Sequence, residues 1–269
     1  RQAHRKPPEN LDAWESYQRG LWHLWRFNAT DLAEACQLFQ RAAKLDPNFA
    51  QPVAATGYTL FLQILLSYTQ SPRETLEQAL RLANKAIALD DKEALAHHTL
   101  GRLQALRGEY DSAIVELRTA IDLNPSLALA HLGLGIVILD SGLPRAAISE
   151  FDTAIRLSPR DPLMWAFLNA RAGARLFLRD YEAAVEDARS SIRHPTAAFY
   201  AHMTLVSALA HLDKHEEAKF ELAKLLEIKP DFSPNAMLAA FSPLNPEAPR
   251  LHFKKMFDGL RKAGLDIPD

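Results

Sequence analysis

Ten histidines hold most of the chain's potential for chemistry. His211 and His215 stand four residues apart, a spacing that puts two imidazoles on one helical face and lets them share a divalent metal. A metalloprotease helix would follow the first histidine with Glu. Here Leu212 follows, and Asp213-Lys214 has the composition of a turn, so ordinary turn histidines are expected. Cys36 is the single thiol, which allows no internal disulfide and supplies too few ligands for a structural zinc site. It follows the small Ala35 and reads as a buried apolar group. Gly133 and Gly135 follow no strand, so they suit close helix packing better than a phosphate loop. The acids are scattered over outward faces, where an isolated pair is a solvated surface and not an acid/base site. No catalytic, cofactor-binding or metal residue is assigned, and this segment reads as non-enzymatic.

The elements that carry these residues are helical. The 269 residues are 48% hydrophobic and 24% charged, the balance of a folded water-soluble protein. A net charge of −2 argues against a nucleic-acid surface. The longest apolar run, ALAHLGLGIVIL at 128–139, is too short to cross a bilayer, and no signal peptide opens the chain, so no membrane partner and a cytoplasmic address are expected. The chain starts at Arg1, which reads as a fragment or processed product.

Aligned on itself, the chain repeats. Pro125 and Pro159 are 34 residues apart, as are Gly101 and Gly135, Ala113 and Ala147, Leu117 and Phe151, and Ala120 and Ala154. The order Gly, Ala, large apolar, Ala, Pro resembles the tetratricopeptide repeat, a 34-residue pair of helices A and B. Small residues belong where A and B cross closely, and proline closes B. Six units are expected at 11–49, 50–93, 94–127, 128–161, 162–196 and 197–232, after a linker at 1–10 and before a capping segment at 233–269. The predicted fold is an all-α right-handed solenoid. Insertions interrupt the first unit near RFNAT, and about three residues lengthen helix A of the fifth. In the second unit ten added residues extend helix A, LFLQILLSYTQ, up to Ser71-Pro72-Arg73-Glu74, where Ser71 is the expected N-cap with Glu74 reaching back. His97, His131 and His202 recur at one packing position. After Pro230, Phe253, Met256, Phe257 and Leu260 share a helical face opposite Lys254, Lys255 and Asp258, which predicts a helix capping the sixth unit.

In a stacked array only a strip of each helix A meets the concave groove. Family groove positions fall on Leu129, Leu132, Ile136, Leu139 and Asp140 in the fourth unit, and on Tyr17 and Leu21 in the first. They fall on Tyr58 and Phe61 in the second, His98 and Arg102 in the third, and Met203 in the sixth. This strip is apolar and aromatic, with Arg102 its lone residue suited to a carboxylate clamp. It predicts a groove for a protein or peptide with apolar anchors, with Arg102 and Asp140 setting orientation. The competing reading makes the same residues core.

The segment RKPPENLDAWESYQRGLWHLWRF at 5–27 and the ending GLRKAGL at 259–265 resemble the C-terminal part of multidomain bacterial signalling proteins. In these a class III adenylate/guanylate cyclase domain, or a winged-helix domain, precedes the repeats. The resemblance implies a regulatory interaction arm that holds a partner or the upstream domain. The alternative is a homodimerisation module that brings two upstream domains together.

Overall fold

Six tight turns set the architecture, each joining a helix A to its helix B through one residue in the left-handed region: Phe27, Ser67, Gly108, Gly142, Arg179 and Asp213. In five of them an N–H reaches back five residues to a helix carbonyl, as in Tyr68 to Gln63 at 2.8 Å and Leu143 to Ile138 at 3.1 Å. This is the Schellman closure, which satisfies carbonyls that a helix end leaves without partners.

The computed structural model describes residues 10–194, 199–235 and 248–267. Among them run thirteen helices. They are α1 Leu11–Leu24, α2 Ala29–Leu45, α3 Ala50–Leu65, α4 Pro72–Leu89, α5 Ala94–Leu106, α6 Tyr110–Leu123 and α7 Ala128–Asp140. The remainder are α8 Pro144–Leu157, α9 Met164–Phe177, α10 Tyr181–Ile192, α11 Phe199–His211, α12 His215–Ile228 and α13 Ala248–Lys262. Odd numbers from α1 to α11 are A helices and even numbers are B helices. The chain divides into two compact units, residues 1–103 and 104–269, with the division inside α5.

In the first unit α1 packs on α2, α2 on α3 and α3 on α4. Asn10 caps α1 by accepting from the Asp12 and Ala13 amides, and Asn28 caps α2 through the Asp31 amide at 2.9 Å. The A/B crossing is close because Gly20 leaves room for Phe39, whose ring atom Cδ1 would lie 2.7 Å from a Cβ there. The second repeat, which carries the insertion, departs from expectation. α3 stops at Leu65, because Ser67 turns left-handed at φ 59°, and the added residues form a loop instead of a longer helix. Ser71 does occupy the N-cap with Pro72 next, but its side chain makes no cap hydrogen bond. The loop is tied instead by the Thr69 and Thr75 hydroxyls, 2.8 Å apart.

In the second unit α7 packs with α8, α9 with α10 and α11 with α12, and each B helix from α6 to α10 also meets the next A helix. Gly135 repeats the relation of Gly20, with Phe151 filling the space. Ala113, Leu117, Leu134 and Val137 form one buried cluster with Ala105. Arg171 grips buried Asp187 through two nitrogens at 2.7 and 2.8 Å and reaches Asp152 at 2.6 Å, joining α8, α9 and α10. Arg175 adds a contact to Asp187 at 2.9 Å.

Candidate functional site

The A helices of the second unit carry a helix of their own chain. α13 packs on α11 of the sixth repeat and continues onto α9 and α7, so it lies along the face made by three successive A helices. The expected capping helix therefore exists, but it covers the A-helix face as well as the last repeat. Its apolar stripe explains the docking: Met256, Phe257 and Leu260 are buried, followed by Ala263 and Ile267. Phe253 and Lys254, expected on opposite faces, have side chains outside the described part.

Lys255 does not point away from this face. Its Nζ donates to the Phe177 carbonyl at the end of α9 at 2.6 Å, where the negative end of that helix dipole favours a cation. Burial, then the neighbouring Arg179 charge, hold this ammonium below its ordinary pKa. The Lys255 carbonyl accepts from Ser207 Oγ at 3.3 Å and from His211 Nε2 at 3.2 Å, which assigns the His211 proton to that nitrogen. The His211 ring stacks on Tyr181, with centroids 4.9 Å apart. Gly259 lies so close to α11 that a Cβ there would sit 2.5 Å from Ser207 Cα.

The strip read from the sequence is not wet. In the first unit Tyr58, Phe61, His98 and Arg102 are buried, and Tyr17 and Leu21 are half-buried. Tyr58 stacks on Phe61 and meets the His98 ring edge-on, and the Arg102 guanidinium lies 5.1 Å from the Phe61 ring centre. Burial, and then the Arg102 charge, lower the His98 pKa to about 3. In the second unit Leu129, Leu132, Leu139 and Met203 are buried, while Ile136 and Asp140 are half-buried. Tight packing of adjacent helices accounts for this, as does α13 on the α7, α9 and α11 face.

Two of the recurring histidines face carboxylates. His131 Nδ1 lies 2.7 Å from Glu150, and His202 Nδ1 faces Glu221 at 3.4 Å. Each glutamate stands nineteen residues after its histidine, as Glu116 does after His97. That recurring spacing was open to sequence reasoning and was missed. His211 ends α11 and His215 begins α12. Among the described residues no group of three or more His, Cys, Asp and Glu is placed to hold a metal. Cys36 is half-buried, and burial pushes its thiol up to about 11.

Sequence comparison fits these helix pairs. A family pattern described as TPR repeat matches residues 101–142, and one described as Tetratricopeptide repeat matches 199–232. Those two segments match the tetratricopeptide repeat. Similar folds occur in the APC/C hetero-tetramer Cut9–Hcn1, at 19% identity and TM-score 0.66 over 88% of this chain and 42% of that one. Others are Pseudomonas aeruginosa pilF, at 18% and 0.57 over 88% and 98%, and a thermophilic TPR protein of Thermus thermophilus, at 19% and 0.57 over 73% and 98%. The chain thus spans less than half of the first of these. At such identities the likeness is one of fold: an all-α helical repeat. No curated protein matches the sequence significantly. Tetratricopeptide-repeat proteins generally mediate protein–protein interaction. No described helix is long and apolar enough to cross a membrane.

Proposed function

We propose that this chain is a protein-interaction module whose A-helix face takes an apolar or amphipathic helical segment, and that it serves as the regulatory arm of a multidomain bacterial signalling protein of the nucleotide-cyclase type. The observation that carries the binding reading is α13, an amphipathic helix seated on α7, α9 and α11. The cyclase connection rests on the ENLDAW junction and the GLRKAGL ending. Binding draws on buried apolar anchors, as in helix-in-groove recognition, and depends weakly on salt. The test uses the full chain carrying Leu260→Asp, which places a charge at a fully buried site of α13 and frees the face. A labelled peptide of residues 248–267 should bind this variant in solution, followed by fluorescence anisotropy, and bind the parent chain far less. No binding to a variant whose α13 amides exchange freely overturns the reading.

A homodimerisation module is the second reading, favoured by Leu11, Trp14 and Trp22, which stand 81%, 42% and 58% exposed along α1. Sedimentation that gives a concentration-independent monomer removes it.

A further inference from the structure

The way α13 is held reveals what its site reads. Apolar burial of Met256, Phe257 and Leu260 would suit many amphipathic helices. The polar contacts are narrower. Ser207 and His211 stand four apart on α11 and both aim at one backbone carbonyl, that of Lys255. A helix carbonyl is normally screened by the residue four positions on, whose N–H closes on it and whose side chain stands beside it. That residue is Gly259, and a Cβ there would collide with Ser207. The glycine therefore opens the carbonyl to two side-chain donors and lets the two helices approach. The Lys255 ammonium meets the other fixed feature, the Phe177 carbonyl at the end of α9.

We infer that the α7–α9–α11 face selects, in another protein, an amphipathic helix carrying a cationic residue four positions before a glycine, and that α13 is the built-in competitor for that partner. This rests on the function proposed above and names the partner class. α13 belongs to the same chain as the face it covers, so its effective concentration there is on the order of millimolar. A second copy's identical helix cannot outcompete it at micromolar concentrations. The displacing helix must keep the Lys-x-x-x-Gly register and fit it better.

The experiment follows labelled 248–267 peptides on the full-length Leu260→Asp chain by anisotropy, with hydrogen exchange at residues 255–260 confirming that α13 is released. The parent peptide should bind. A peptide with Gly259→Ala should be more helical in isolation, since alanine favours helix, yet bind on the order of tenfold more weakly because of the clash. A peptide with Lys255→Met should lose severalfold while keeping its apolar face. Tighter or equal binding by the alanine peptide overturns the glycine rule. Equal binding by both variants overturns the whole register while leaving a helix-binding face intact. Failure of every peptide on a chain with α13 released overturns both the register and the function proposed above. In the parent chain Gly259→Ala should also speed exchange at residues 255–260, and unchanged protection there would oppose the inference.

Discussion

His98 is fully buried, and neither ring nitrogen finds a hydrogen-bond partner. Its pKa of about 3 means that the folded chain keeps it neutral, whereas an unfolded chain protonates it near 6.5. The unfolded state binds the extra proton between those values, so stability is complete above about pH 6.5 and declines as the pH falls toward 3. This one group accounts for a slope of up to about 1.4 kcal/mol per pH unit in that window. His98→Leu should flatten the acid limb of a urea-midpoint against pH curve and leave stability at pH 8 equal or higher. A second residue-scale expectation concerns Arg171. Arg171→Met leaves buried Asp187 with Arg175 alone, and should destabilise the protein by about 3 kcal/mol in chemical denaturation. None of this was legible beforehand. The sequence places Arg171 and Asp187 sixteen apart without indicating that one fork holds two carboxylates from different helices.

The helix pairs were far more legible. Small residues at fixed spacing located the crossings, and Gly20 with Phe39 and Gly135 with Phe151 explain why they recur. Ala113 and Ala147 are wholly buried at such crossings, so Ala147→Leu should overpack α8 against α7 and lower stability by about 1–3 kcal/mol in thermal unfolding. The end of α3 was illegible because its left-handed residue is Ser67, which carries none of the signal that Gly108 and Gly142 give. An L side chain pays roughly 1 kcal/mol for that conformation. Ser67→Gly should therefore raise the melting temperature slightly, partly offset by glycine's greater freedom when unfolded. The groove strip is ambiguous for a related reason. Helical periodicity reports which face is apolar, and it cannot say whether a neighbouring helix or an outside partner covers that face. Leu139 and Met203 satisfy both readings in sequence.

Across the molecule the repeat contacts are local, but those of α13 are not. Ser207 meets Lys255 across 48 residues, and Lys255 meets Phe177 across 78. Loop closure makes such distant contacts slow to form, and neighbouring repeats are able to pair before the last helix arrives. The array should fold first and α13 should dock onto it as the final event. Met256→Ala or Phe257→Ala should then leave the main refolding rate of the array unchanged while quickening the release of α13, a pattern that stopped-flow refolding and pulsed hydrogen exchange would resolve. A chain emerging from the ribosome would expose its α7–α9–α11 face until synthesis passes Lys262, and during that interval a partner helix would meet no competitor.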